Sequence, residues 1–267
     1  MNRLLPAAAV LLLVLSTGAQ ASPESTSCAA PVLAVLARQV QVDHFVPGRN
    51  AFGRDPAGVV LSSACKRMPD DSRLTLAAVA WDAGRTDSKS LVVAIVDEAA
   101  GAVVASMKDE IYEDAVTQVH NGSLRLDTAA YVLAPGVRAF GLDIASDNPG
   151  CGDDGLGPQR SLYVRDGAAL RPVVAGLQLS QYRYVRGNQA RCVSDPKEAE
   201  TAIVENFKVT IGLSAAGRGG WRDLVMTATS SRSDGRPGRP PLQVRVPYDG
   251  DAYPLAPFVK ACDQWRK

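Results

Sequence analysis

The stretch Leu91–Asp97, LVVAIVD, decides the fold together with the run Ala102–Met107, AVVASM, which follows it across Glu98–Gly101. Apolar residues occupy both alternating sets of positions in LVVAIVD, so it is predicted to be a central strand covered on both faces. The short EAAG connection between the two runs predicts a hairpin. This buried hairpin indicates a mainly β protein.

Other short apolar runs lie on both sides of this hairpin, separated by Gly and Pro turns. They are Leu74–Trp81, Ser123–Ala130, Val137–Ile144, Ser161–Val164, Leu170–Val174, Gln178–Val185, Phe207–Leu213, Asp223–Ala228 and Leu242–Val246. Short strands at regular spacing predict a mainly antiparallel architecture. We expect a two-sheet sandwich of about 8–12 strands. A small propeller or barrel is the alternative, although the lack of an internal repeat disfavours the propeller.

One segment near the beginning of the chain is predicted to be helical. Pro31–Val40, PVLAVLARQV, has apolar residues at helical spacing and a proline in the first turn. The run Ile111–His120 fits either a strand or a short helix, and the Asn121–Gly122 pair after it is a turn signal. The predicted fold therefore has one short N-terminal helix beside the strands.

The first residues have the pattern of a secretory leader. Arg3 precedes the apolar run Ala7–Leu15, and Ala19–Ala21 supplies small residues at a peptidase site. An apolar core of about ten residues is too short for a stable membrane span, which takes about 20. We expect residues 1–21 to be a signal peptide and residues 22–267 to form a single secreted β-rich domain, periplasmic or secreted.

The charge balance excludes some classes of partner. Removing the predicted leader from the 267-residue chain leaves 246 residues with 28 basic and 28 acidic side chains. Nucleic-acid binders and polybasic membrane anchors need a large positive excess, so neither is expected. No second long apolar run predicts a membrane span in the mature chain. The basic residues are 21 Arg and only 7 Lys, which is typical of a bacterial gene rich in GC codons.

The five cysteines are scattered and predict disulfide bonds rather than a metal site. They lack the C-x-x-C pairs and neighbouring histidines of zinc sites, and exported proteins favour disulfides. Our preferred pairs are Cys28–Cys65, which would tie down the N-terminal segment, and Cys151–Cys192, which would close a Gly- and Asp-rich loop. Cys262 is then left over, although it can replace one of these partners.

One C-terminal fragment resembles a known pattern. The segment Gly220–Val225, GWRDLV, and the later segment Tyr248–Tyr253, YDGDAY, resemble a terminal hairpin of uncharacterised secreted bacterial proteins. In that hairpin a G-x-x-D-L-V strand pairs with a strand that ends in Y-D-G-x-x-Y. The resemblance implies an antiparallel hairpin at this end of the chain and no particular activity.

Residues for catalysis do not group into a recognisable constellation. Ser214 lies in GLSAAG, which misses the last glycine of the G-x-S-x-G elbow by one position. The chain has two histidines, His44 and His120, without metal-binding context. Adjacent acidic residues on a strand point to opposite faces and do not form a catalytic pair. We assign no catalytic residue and no cofactor.

Calcium is the one metal for which the sequence offers candidate ligands. Asp147, Asp153 and Asp154 lie in a glycine-rich loop and carry the oxygen ligands that Ca²⁺ takes. Their spacing does not match the EF-hand pattern, so a solvated loop is the preferred interpretation. No metal is assigned, and these residues remain weak Ca²⁺ candidates.

Four residues are candidates for binding. Trp221, Tyr248 and Tyr253 concentrate aromatic side chains in the C-terminal third, as contact surfaces do. Arg138 lies on an otherwise apolar strand face and needs an acidic partner at the rim, for which Asp127 or Glu113 is suggested.

These observations predict a non-catalytic exported protein that binds or modulates another cell-envelope or secreted macromolecule, either a protein or a glycan. The alternative is a hydrolase of cell-wall glycan or peptide that draws Asp and Glu from separate loops. The two differ in whether carboxylates converge in one pocket.

Overall fold

A computed structural model describes residues 25–48, 58–114, 116–146, 154–187, 197, 201–215 and 217–267. Its helices are α1 (Ala30–Val40) and α2 (Ala256–Trp265). Its strands are β1 Val46–Pro47, β2 Val59–Arg67, β3 Leu74–Asp82, β4 Ser88–Asp97, β5 Ala102–Tyr112, β6 Leu124–Ala134, β7 Val137–Ile144, β8 Asp154–Leu156, β9 Gln159–Asp166, β10 Ala169–Gln178, β11 Ser180–Arg186, β12 Ile203–Leu213, β13 Leu224–Arg232 and β14 Leu242–Val246. Outside the described residues lie the predicted signal peptide and Asp147, Cys151, Asp153 and Cys192.

The first sheet has nine strands in the order β1-β2-β3-β4-β5-β10-β9-β7-β6. The predicted hairpin is β4 and β5, paired antiparallel from Ser88–Tyr112 to Asp97–Ala102. In β4 every residue from Leu91 to Val96 is at most 2% exposed. The prediction of a central strand covered on both faces is therefore confirmed.

This sheet curls into a half-barrel, which brings its last strand, β6, back against β2. The backbone N–H of Leu124 on β6 donates to the Oγ of Ser62 on β2 at 3.1 Å. Small side chains on the concave side of β3, such as Ala78 and Ala80, face a core that also holds Leu142 and Tyr163. Because the sheet curls, residues of the same sheet bury its concave face, and no second sheet is needed there.

Helix α1 covers the convex face of the first sheet from β2 to β5. Its residues Val32 and Leu36 pack with Val79 and Val92 in a separate core. The segment that leads into α1 is fixed to β2 by the Cys28–Cys65 disulfide, so that predicted pair is confirmed. The N–H of Cys28 also donates to the Oγ of Ser63 at 3.1 Å.

A second sheet, in the order β14-β13-β12-β11-β8, covers the rest of the convex face together with α2. Leu133 and Leu162 from the first sheet meet Leu224 and Met226 from β13, and Phe258 of α2 joins them. The two-sheet, mainly β fold is thus confirmed, and the curl of the first sheet also agrees with the barrel alternative.

Two elements were not predicted from the sequence, and the expected number of strands was too low. The described residues contain fourteen strands, where about 8–12 were expected. Their pairing is mainly antiparallel, as predicted, and two pairs, β1–β2 and β5–β10, are parallel. Strand β2 was overlooked because Ser62 and Ser63 interrupt its apolar run, although Ser62 is buried as a hydrogen-bond acceptor. Helix α2 was overlooked because only Phe258 and Cys262 of its residues are buried, which leaves little apolar periodicity.

No helix in the described part of the chain combines the length and hydropathy that crossing a membrane requires.

Replacing both bridged cysteines, as Cys28→Ala with Cys65→Ala, should lower the free energy of unfolding by about 4 kcal/mol. The bridge closes a loop with a sequence separation of 37 residues, and its loss restores conformational entropy to the unfolded chain. Urea denaturation of the double variant beside wild type measures the difference. A loss below about 1 kcal/mol would contradict a stabilising role for the bridge.

Candidate functional site

Three of the four predicted binding residues form an aromatic stack on the turns that flank β13 and β14 of the second sheet. The rings of Trp221 and Tyr248 lie parallel, with centroids 4.0 Å apart and an interplanar angle of 6°. Tyr253 contacts Tyr248, with ring centroids 5.2 Å apart and an interplanar angle of 56°. Tyr253 is buried, whereas Trp221 and Tyr248 are half-buried and reach the surface. The stack runs from the core to solvent.

A glycine turn places Trp221 three residues before β13. The 3₁₀ turn Arg218–Gly220 contains Gly219 at φ 60° and Gly220 at φ 83°, both in the left-handed region that favours glycine. The N–H of Trp221 donates to the carbonyl of Arg218 at 3.0 Å. The next residue, Arg222, donates its N–H to the carbonyl of Leu133 at 2.7 Å, which ties this turn to the first sheet.

The turn after β14 places the two tyrosines. The carboxylate of Asp249 accepts the N–H groups of Asp251 and Ala252 at 2.9 and 2.8 Å. These backbone hydrogen bonds, that of Ala252 foremost, lower the pKa of Asp249. Tyr253 donates its N–H to the carbonyl of Val173 at 2.8 Å and its hydroxyl to the carbonyl of Arg222 at 2.6 Å. Burial raises the pKa of Tyr253, which keeps it a neutral donor.

Arg171 on β10 fixes the outer tyrosine. Its Nη2 donates to the hydroxyl of Tyr248 at 3.1 Å, and its Nη1 contacts the carboxylate of Asp251 at 3.3 Å. Contacts from β10, the turn before β13 and the turn after β14 therefore hold the stack in one arrangement.

Beside the stack lies an open depression of about 480 Å³ lined by Gly217, Arg218, Asp223, Arg245 and Pro247. We call it the Arg218 depression. The Nε of Arg245 donates to the Oδ2 of Asp223 at 2.5 Å. Asp223 is 5% exposed, and its Oδ1 accepts no hydrogen bond. A Cβ on Gly217 would come within 2.6 Å of this Oδ1, so the position requires glycine.

Sequence reasoning did not assign the residues of this depression. Asp223 was considered only as the first residue of a predicted strand and within the GWRDLV resemblance, and Ser214 was considered only as a nucleophile. In the structure the Oγ of Ser214 accepts the N–H of Asp223 at 3.0 Å, so the hydroxyl supports the turn. One sequence feature could have indicated this depression. A glycine-rich segment lies immediately before a Trp-Arg-Asp sequence, and this pattern predicts a tight turn beside aromatic and charged side chains.

Arg138, the fourth predicted binding residue, lies elsewhere. Its Nη1 donates to the Oδ1 of Asp70 at 2.6 Å, and its Nη2 donates to the carbonyl of Thr128 at 2.9 Å. The suggested partners Asp127 and Glu113 were therefore wrong. Arg138 anchors the loop before β3 to β7 and does not contact the aromatic stack.

A buried ionic network that the sequence did not reveal occupies the β6-β7-β9 part of the convex face. Arg160 makes a bidentate pair with Asp143, with Nε–Oδ1 and Nη2–Oδ2 distances of 2.6 and 2.8 Å. Its Nη1 also donates to the hydroxyl of Tyr131 at 2.8 Å, and that hydroxyl donates to Asp127 at 2.9 Å. Arg125 adds a contact to Asp143 at 3.1 Å. Such a fully connected network stabilises local structure.

A second buried carboxylate, Glu205 on β12, is held in the same way. Arg183 donates to its Oε2 at 2.7 Å, and Arg239 donates to its Oε1 at 3.2 Å. Arg239 also donates to the carbonyl of Trp265 at 2.7 Å, which fixes the end of α2. Both oxygens of Glu205 are occupied by arginine donors, so this acid serves structure.

The predicted calcium candidates are not brought together in the described residues. Asp154 opens β8 and is exposed, while Asp147 and Asp153 lie outside the described residues. Among the residues that are described, no group of three or more His, Cys, Asp or Glu side chains is arranged to hold a metal ion.

Comparisons of the chain with protein families, with curated proteins and with solved structures give no match.

Replacing Arg160 with Met should destabilise the fold by about 3–5 kcal/mol, because Asp143 would keep a buried charge without its bidentate partner. The matched control is Arg125→Met, which removes the other arginine on Asp143. The Arg125 side chain is 63% exposed, so its loss should change stability by less than about 1 kcal/mol. Equal losses in urea denaturation of the two variants would contradict the dominant role of Arg160.

Stability should also fall at alkaline pH, and the buried tyrosines Tyr131 and Tyr163 should contribute to this loss. Burial raises the pKa of Tyr131 and of Tyr163 to about 12, compared with about 10 in an unfolded chain. Their contribution is therefore complete below pH 10 and is lost as the pH rises toward 12. Denaturation of wild type and Tyr163→Phe across this range measures the effect. An identical alkaline loss in the variant would contradict the assignment to Tyr163.

Proposed function

We propose that this chain is a non-catalytic binding protein of the periplasm or the secreted space, whose partner is an acidic polypeptide segment. The observation that supports this proposal is the stacked pair Trp221–Tyr248 at the surface, next to the Arg218 depression. The partner segment would lay an apolar side chain against the stack and place a carboxylate at the depression.

The residue types at this surface are those that contribute most to protein–protein binding. Trp, Tyr and Arg are enriched among the few interface residues that supply most of the binding energy. Trp221, Tyr248, Arg171 and Arg218 lie at one surface here. Because Arg171 and the neighbouring turns already order the stack, a partner would lose little further side-chain entropy on binding.

Charge favours an acidic partner. Arg171 and Arg245 are paired with Asp251 and Asp223 respectively. The exposed side chains of Arg218 and Arg222 have no carboxylate partner among the described residues. A carboxylate of the partner can form a bidentate pair with such a guanidinium, which adds geometric specificity as well as energy.

The disulfide supports the proposed location. Cys28–Cys65 is a bond of the kind that persists in oxidising compartments and is rare in the cytosol of most organisms. It agrees with the leader-like pattern of residues 1–21. Mass spectrometry of the protein recovered from a periplasmic fraction, with its mature N-terminus, would test this location directly.

The hydrolase alternative requires two carboxylates that converge in one pocket. Among the described residues that line the Arg218 depression, Asp223 is the single acid, and Arg245 is bound to it. The buried acids Asp143 and Glu205 are each held by two arginines. These contacts favour binding over acid–base chemistry, so we propose no catalytic role.

Selection from a randomised peptide display library at physiological salt tests the proposal. Peptides retained by wild type, after depletion on the Trp221→Ala variant, should carry Asp or Glu near an aromatic or aliphatic residue. Trp221→Ala should weaken the Kd of a selected peptide at least tenfold, or about 1.4 kcal/mol. Arg218→Glu should weaken it similarly, by adding repulsion to the acidic peptide.

Two matched controls accompany this measurement. Tyr112→Ala removes an aromatic residue that is 72% exposed and lies on β5, and Arg165→Glu reverses an exposed arginine on β9. Both variants should bind the selected peptide as wild type does. Peptides that bind Trp221→Ala equally well would contradict the proposed surface. Trp221-dependent binding to oligosaccharides, with no peptide selected, would replace the polypeptide partner with a glycan.

A further inference from the structure

A mostly apolar cavity of about 130 Å³, partly open to solvent, lies between α2 and the second sheet. Strands β12 and β13 supply Phe207, Val209 and Ala228 to its wall, and α2 supplies Phe258 and Cys262. It shares no lining residue with the Arg218 depression, so it is an independent feature of the molecule.

The size of this cavity sets it apart from ordinary packing defects. Protein interiors are close-packed, and voids larger than a water molecule are few in each domain. An apolar cavity offers water no hydrogen-bond partners, and one of about 150 Å³ lined by apolar side chains stays dry and binds benzene. The cavity beneath α2 is of comparable volume and is mostly apolar, but it is partly open to solvent and has Gln178, Gln181 and Arg266 in its lining.

The polar groups at its margin are already engaged. The Nε2 of Gln178 donates to the carbonyls of Gly157 and Ser180 at 2.6 and 2.9 Å. The side-chain oxygen of Gln181 accepts from Arg266, which also donates to Asp263 at 2.5 Å. An occupant would therefore be selected by apolar shape rather than by hydrogen bonding.

We infer that the cavity beneath α2 is a binding site for one compact uncharged apolar molecule, such as a single six-membered ring. Such an occupant would contact both α2 and the inner face of the second sheet, and would pull these two elements together. Its transfer from water onto the apolar walls supplies the driving force.

Cys262 provides a built-in reporter of occupancy. Its thiol is free and buried, with the residue 8% exposed. Burial also raises its pKa, which leaves less of the reactive thiolate. A molecule seated in the cavity would cover the thiol further, because Cys262 forms part of the wall.

Benzene is the probe for the test, and the readout is the rate at which Cys262 is alkylated, resolved by peptide mass spectrometry. Saturating benzene should slow this alkylation at least tenfold and should raise the melting temperature. Failure to slow alkylation in the wild-type protein would overturn the inference.

A filling variant and a matched control locate the effect. Ala228→Val adds two methyl groups to the cavity wall and should abolish protection by benzene. Ala139→Val makes the same change at a buried alanine of the same core that does not line the cavity, and should retain protection. Protection that persists in Ala228→Val would place benzene elsewhere and overturn the inference.

An enlarging variant keeps the test decisive if Ala228→Val does not fold. Val209→Ala widens the cavity, so naphthalene should protect Cys262 in this variant and fail to protect it in wild type. If naphthalene slowed the alkylation of Cys262 equally in wild type and in Val209→Ala, the inference would be overturned. The alkylation of Cys262 and the binding of peptide at Trp221 are measured separately. A negative result in one test therefore does not contradict the proposal tested by the other.

Discussion

The burial of β4 on both faces is the constraint on which the rest of the structure depends. Leu91, Val93 and Ile95 point to the concave side, where the curl of the first sheet encloses them. Val92 and Val96 point to the convex side, where α1 covers them. A strand that is apolar on both faces must lie between two layers, since each exposed face would leave apolar area in water. The half-barrel buries the concave face of β4, and helix α1 buries its convex face.

The length of the first sheet then explains the second. Helix α1 has eleven residues and so extends about 16 Å, which is enough to cover only the β2–β5 part of a nine-stranded sheet. The remaining convex face, formed by β6, β7, β9 and β10, is apolar at Leu133 and Val173 and requires the second sheet and α2. Beyond the part of the convex face that the second sheet and α2 cover, the side chains are charged. There Arg160 and Asp143 form an ion pair.

The candidate binding surface lies at the seam between the two sheets. The backbone of Arg222 is bonded to Leu133, and the backbone of Tyr253 is bonded to Val173, so both turns that carry the aromatic stack are attached to the first sheet. This attachment makes the two turns as rigid as the sheet. Because their side chains are already ordered, they lose less conformational entropy when a partner binds. The apolar cavity has a different origin, because α2 rests on the second sheet through few buried side chains, chiefly Phe258 and Cys262.

The sequence by itself determined the central hairpin, helix α1 and most strands, because local apolar periodicity reports directly which faces are buried. It also grouped Trp221, Tyr248 and Tyr253, since these residues are concentrated in one part of the chain. Only the tertiary structure decided what depends on contacts between distant residues: the curl that joins Leu124 to Ser62, the pairing of Arg138 with Asp70, and the network around Asp143. The first two pairs are 62 and 68 positions apart, and the arginines on Asp143 are 17 and 18 positions from it. Such residues meet through strand topology, and no local pattern encodes which arginine reaches which carboxylate.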